Sequence, residues 1–217
     1  MRIFGQGTTL VQVSGRWSSS RRQSEGVTPL RSSTAIVVLV ALTAICPILA
    51  GEQTLRLDPS STQISFLLES TLHDVHGSLF LDHGEIHFDM ETGHVSGKIV
   101  LDALRTVSGN AKRDKKMHGK VLESQTFPEI LFSATSIEGR LPTTGTETVT
   151  LNGKISIHGD DHDTSLVAQI SRDGDRLHVT LNLSVPFVEW GMADPSVFML
   201  RVAKVVEVSI ELDGTLE

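Results

Sequence analysis

Three runs of alternating apolar and polar residues between Leu151 and Val185 constrain this chain more than any other feature. Leu151, Gly153, Ile155 and Ile157 alternate with Asn152, Lys154, Ser156 and His158. Leu166, Ala168 and Ile170 repeat the pattern, and so do Leu177, Val179, Leu181, Leu183 and Val185. Successive side chains on a strand point to opposite faces, so each run has one dry and one wet face. The breaks, His158-Gly159-Asp160-Asp161-His162 and Arg172-Asp173-Gly174-Asp175, are short, polar and glycine-bearing. Such punctuation predicts hairpin turns, and therefore an antiparallel meander with its dry face inward.

The alternation extends in both directions. Asp58-Pro59-Ser60-Ser61 predicts a turn after a strand near Leu55, followed by a strand with Ile64, Phe66 and Leu68 on one face. Val75, Gly77, Leu79 and Leu81 form the next set, with Gly77 expected at a bend or bulge. Asp82-His83-Gly84 is expected to close it as a turn before a short strand with Ile86 and Phe88. Glu91-Thr92-Gly93 then turns the chain into Val95, Gly97, Ile99 and Leu101. The polar stretch Ser108 to His118 suits a short surface helix capped by Ser108 or Asn110. Ile130, Phe132 and Ala134 resume the alternation, and Val206, Val208, Ile210 and Leu212 form the last strand. Between Val185 and Val206 lies an irregular, partly apolar segment that Pro186 keeps out of a central ladder. Eight to ten strands with almost no helix predict an all-β fold. A closed antiparallel β-barrel of about eight strands with one short helix is preferred, because closure removes the edges that so many hairpins would otherwise leave unpaired.

The first 50 residues differ from the rest. Residues 1–33 are rich in Ser, Arg, Gly and Gln, and an apolar run then extends from Thr34 to Ala50, with Pro47 near its end. Basic residues, an apolar middle and a small residue at its end predict an export signal cleaved near Ala50, with an uncleaved anchor as the alternative. The expected organisation is an extension with signal peptide over 1–50 and a barrel domain over 51–217. Periplasmic or secreted placement follows from that expectation. Cys46, the single cysteine, lies in the apolar run. A barrel domain without it has neither disulfides nor a thiol nucleophile.

Charge excludes one class of partner. Residues 1–50 hold five of the 19 basic residues and one of the 26 acidic ones, so the remainder carries 14 against 25, a formal net charge of −11. Such a domain repels a phosphate backbone and an anionic membrane surface. Nucleic acid is therefore not an expected partner, and a membrane is expected to be met only through export or lipid exchange.

The stretch His118-Gly119-Lys120-Val121-Leu122-Glu123-Ser124-Gln125-Thr126-Phe127-Pro128-Glu129-Ile130-Leu131-Phe132 resembles the signature region of the YceI-like family. Asn110, Arg113, Asp114 and His118 fit that family's helix-and-loop pattern. Asp58-Pro59 with Ile64, Phe66, His73, Val75 and Gly77 is similar to its opening hairpin, and Leu151 to Gly159 to a later strand and turn. The resemblance implies a lipocalin-like barrel, secreted or periplasmic, that holds a polyisoprenoid or other long-chain lipid. The acidic loop Asp160-Asp161-His162-Asp163 departs from the usual pattern.

A small barrel either fills its interior with side chains or holds one ligand. The candidate ligand-binding interior is Phe66, Leu68, Phe88, Ile99, Phe132, Ile155, Ile157, Leu181, Leu183 and Val208. Gly77, Gly97, Gly153, Ala134 and Ala168 fall in phase with these and leave room along the axis. Phe187, Trp190, Met192 and Phe198 are candidates for the mouth or for a plug over it. The resemblance implies that Arg113 and Asp114 form part of the entrance, with Arg113 facing an anionic lipid head; the alternative is a plain solvated helix face. The competing class is a His-rich metal-binding or metal-assisted protein, for which His73 with His76, His83 with His87 and His158 with His162 are the candidate pairs. A barrel acting only as a protein-interaction module is a third class and predicts a filled interior. No nucleophile elbow, zinc-protease helix or phosphate-cradling loop is present in the sequence, so no enzyme activity and no cofactor are expected.

Overall fold

The computed structural model describes residues 52–89, 92–197 and 199–217. The expected export signal and its cleavage site near Ala50 lie outside them, and so does Phe198. Nine strands form one antiparallel sheet: β1 Gln53–Leu57, β2 Gln63–Leu68, β3 Val75–Phe88, β4 Val95–Val107, β5 Glu129–Glu138, β6 Gly145–Ile157, β7 Asp160–Asp173, β8 Arg176–Val185 and β9 Val206–Leu216. Neighbours pair in sequence from β3 through β9. The ring closes through the two short first strands. β1 pairs with the end of β3, as Leu55 with Ile86, and with the end of β9, as Leu55 with Leu216. β2 pairs with the beginnings of the same two strands, as Phe66 with Gly77 and with Val208. The turn Asp58–Thr62 therefore interrupts a single stave, and nine strands build a barrel of eight positions. Within residues 53–216 every strand is paired along both edges, so the barrel closes.

The three alternating runs between Leu151 and Val185 lie on β6, β7 and β8. Ile157 pairs with Asp160 across a two-residue turn in which His158 and Gly159 both have positive φ, at 55° and 89°. That geometry matches the right-handed twist of the flanking strands. Asp173 pairs with Arg176 across Gly174 and Asp175.

Asp82-His83-Gly84 is not a turn. β3 runs through it, absorbing the irregularity as register shifts between Ser78 and Phe80 and between Leu81 and His83. Gly77 itself is in regular register opposite Phe66, and the bulges come after it. Bulges in one long strand bend it around the barrel without ending the ladder.

Asn110 caps the helix α1, Ala111–Lys116, its Oδ1 accepting the amides of Lys112 and Arg113 at 3.1 and 3.2 Å. A π-helical turn, Met117–Val121, continues it. Among the described residues no helix is long and apolar enough to cross a membrane.

Candidate functional site

The pairing brings four connections to one end of the barrel: 69–74 between β2 and β3, α1 with the π-helical turn between β4 and β5, the β6–β7 hairpin, and 186–205 between β8 and β9. The other end holds the hairpins at 89–94, 139–144 and 174–175. Apolar residues point inward from every strand because the alternation demands it, yet they do not fill the centre. A cavity of about 480 Å³ extends along the axis, from Leu55, Ile86 and Leu212 near one end to Leu72, Pro195 and Leu200 at the other. A volume of this size is that of a small-ligand pocket.

All twelve residues proposed from the sequence face this space. Phe66, Leu68, Phe88, Ile99, Phe132, Ile155, Ile157, Leu181, Leu183 and Val208 line the wall, and Phe187 and Trp190 line the mouth. The expected small residues act differently from simple vacancy. A side chain at Gly77 would fall 2.2 Å from the Phe66 ring, and one at Gly153 would fall 2.7 Å from the Phe132 ring. The glycines are seats for aromatic rings from the adjacent strand, which lie back against the wall and leave the axis free. Gly84 takes Leu57 in the same way, at 2.6 Å. At Gly97 the close neighbour is backbone, the Glu85 carbonyl, and φ is 128°.

The lumen is chemically asymmetric. Its polar lining side chains, Ser70, His73, Thr106, Ser108, Arg113 and Lys116, all sit at the α1 end. A half-buried network fixes several of them. Asp114 Oδ1 accepts from the Ser108 amide at 2.8 Å and from its hydroxyl, and Arg113 donates from Nε to Ser108 Oγ at 2.8 Å and from Nη2 to the Ser108 carbonyl. Below them, His118 Nε2 donates to the Thr106 carbonyl at 2.9 Å, and Ser124 Oγ lies 2.9 Å from Nδ1. Lys116 Nζ donates to the Pro195 carbonyl at 2.7 Å and ties the helix to the 186–205 segment. Thr106 is almost wholly buried, and its hydroxyl has no hydrogen-bond partner. Thr106, Ser108 and Lys116 were not legible as lining residues, because polar residues flanking a surface helix look like a solvated face.

The 186–205 segment is both lining and cap. Met192 N–H donates to the Phe187 carbonyl at 3.0 Å, which folds the segment tightly and buries both side chains. Trp190 stacks on His162, with ring centres 4.2 Å apart and planes within 4°. Asp194 and Lys204 pair within it, and Asp194 also accepts the Ser196 amide at 2.9 Å. Lys204 chiefly, then Ser196, hold the Asp194 carboxyl far below the usual carboxylate range.

His83, His87 and His158 have partners other than histidine. His83 Nδ1 is 2.8 Å from Asp82, and His87 contacts Thr54 at 3.0 Å and Glu85 at 3.4 Å. His158 Nε2 is 3.0 Å from Glu123, while its ring leans on Phe127. Among the described residues no three of His, Cys, Asp and Glu converge on one point where a metal would sit.

The model of the YceI-like domain matches residues 55–214. The chain belongs to the YceI-like family. That match spans the barrel from β1 to β9. Two solved structures share the fold. BcnA of Burkholderia cenocepacia is 15% identical with a TM-score of 0.60, the match covering 73% of this chain and 99% of BcnA. A polyisoprenoid binding domain from Saccharophagus degradans, implicated in plant cell wall breakdown, is 14% identical with a TM-score of 0.60, covering 75% and 98%. In each case the match covers nearly the whole of the neighbour's chain. No curated protein sequence matches this chain.

Proposed function

We propose that this protein binds one long-chain amphiphile, a polyisoprenoid or acyl lipid, inside the barrel, as a carrier or buffer rather than a catalyst. The observation that carries the reading is the confinement of polar lining to one end of an otherwise apolar lumen. Each buried methylene contributes about 0.8 kcal/mol, so ten give roughly 8 kcal/mol without a polar contact. That is enough to offset much of the freedom lost on binding. The tail runs from the mouth toward Leu55 and Ile86, and the head stays beside Arg113, Lys116 and the Thr106 hydroxyl. The fold shared with a polyisoprenoid binding domain supports the ligand class.

Export to the periplasm or the exterior completes the proposal. It rests on the basic and apolar order of residues 1–50, and an exported YceI-like carrier would move apolar cargo through water between membranes.

The test is extraction. The protein is purified from cells that export it, extracted with organic solvent, and the extract is analysed by mass spectrometry. One long-chain lipid per chain is expected. A protein that is empty in repeated preparations and takes up neither prenyl nor acyl chains overturns the proposal.

A further inference from the structure

The mouth carries more than the polar end of the lumen. Among the described residues six large apolar side chains are exposed, and five lie on segments at the α1 end: Leu72, Leu104, Val107, Val197 and Met199. Met199 is the most exposed of all, at 79%. Leu72, Val197 and Met199 form a connected rim. The Thr71 amide donates to the Arg201 carbonyl at 3.0 Å, Ser70 bridges to Val202, and Val197 exchanges backbone bonds with Leu200 at 2.8 and 3.0 Å. Beside that rim stands α1.

α1 is a basic island at an end of the barrel that also carries the exposed Glu69, Asp74, Glu123, Glu189 and Asp194. Ala111–Val121 holds Lys112, Arg113, Lys115, Lys116 and Lys120 against Asp114, within a domain that carries 25 acidic and 14 basic residues. Asp114 is turned into the Ser108 network, whereas Lys112, Lys115 and Lys120 are exposed. A basic helix beside an exposed apolar rim matches the surface of a bilayer with anionic headgroups. Cations meet the phosphates, and short apolar side chains enter the interface.

We infer that the protein docks on anionic membranes through the α1 side of its mouth, with Val197 and Met199 entering the interface and Lys112, Lys115 and Lys120 over the headgroups. Docked this way, the lumen opens directly onto lipid, and an apolar chain passes between bilayer and barrel without crossing water. The inference rests on the lipid-binding reading above.

The experiment is flotation of residues 52–217 with vesicles of phosphatidylcholine, with or without 30% phosphatidylglycerol, alongside binding of a fluorescent acyl probe in vesicle-free buffer. Flotation with anionic vesicles is expected to exceed that with neutral ones at least tenfold and to fall with added salt. Two variants, K112E/K115E/K120E and V197S/M199S, are each expected to lower it tenfold while binding the probe as before. Probe binding with no anionic preference, or an anionic preference that both variants retain, overturns docking and leaves the lipid-binding reading standing. Absence of probe binding overturns that reading first. Dimerisation in vesicle-free buffer that V197S/M199S abolishes assigns the rim to a second copy and likewise overturns docking.

Discussion

Gly77 shows how a single missing side chain shapes the lumen. Its absent Cβ is replaced by the Phe66 ring, and the Val107 carbonyl lies 2.4 Å from the same point. Ring and carbonyl both have to move for alanine to fit, and the carbonyl belongs to the β3–β4 ladder. Gly77→Ala is expected to destabilise the barrel by about 1–3 kcal/mol in denaturant titrations. Phe66→Leu added to it is expected to restore only part, because the backbone clash persists. Thr106 makes the complementary case. A buried hydroxyl without a partner costs stability, so Thr106→Val is expected to stabilise the empty barrel by about 1 kcal/mol. The same change is expected to weaken binding of an amphiphile with a hydrogen-bonding head about threefold to tenfold, with no effect on a plain hydrocarbon. Titration calorimetry with both ligand types distinguishes these outcomes. The alternation showed which residues face inward, since facing is a property of strand geometry. It could not show what a glycine is for: Gly77 and Gly84 read as breaks because their real neighbours, Phe66 and Leu57, come from other strands.

At the scale of elements, the two mouth segments behave oppositely toward the sequence. α1 was legible from its polar composition and its Asn110 cap, and the structure chooses Asn110 over Ser108 because Ser108 is committed to Asp114 and Arg113. The 186–205 segment was legible only as irregular, since its folding depends on distant contacts such as Lys116 to the Pro195 carbonyl and Ala203 N–H to the Glu69 carbonyl. Its internal ion pair gives it a pH dependence. Asp194 is held below its ordinary value by Lys204 and Ser196, and Asp58, in the turn within the first stave, by the Ser60 hydroxyl and amide. A carboxylate with a depressed folded pKa stabilises fully above its unfolded value, and that contribution is lost as pH falls through the folded one. Thermal stability is therefore expected to hold from pH 7 to about 5 and to decline below about 4. Asp194→Asn is expected to lower stability at pH 7 and to flatten the acid decline. Thermal unfolding of both proteins across that range checks the sign.

The barrel is a closed wall around a space that its own side chains leave open. Closure was legible, because a long antiparallel meander has few other ways to pair its edges. The open centre was not, because inward-facing Leu, Ile and Phe read alike whether they meet each other or stop short. What decides it here is the placement of the rings of Phe66 and Phe132 over glycines and the gathering of every polar lining group at one end. Trp190 reports on that space directly. It lines the cavity, and the other tryptophan, Trp17, lies in the N-terminal extension. Residues 52–217 therefore carry a single indole, and titrating them with an acyl chain brominated along its tail measures entry of hydrocarbon beside it. Saturable quenching of Trp190 at one chain per protein is the predicted result. Fluorescence that stays unchanged up to the solubility limit of the chain would contradict it.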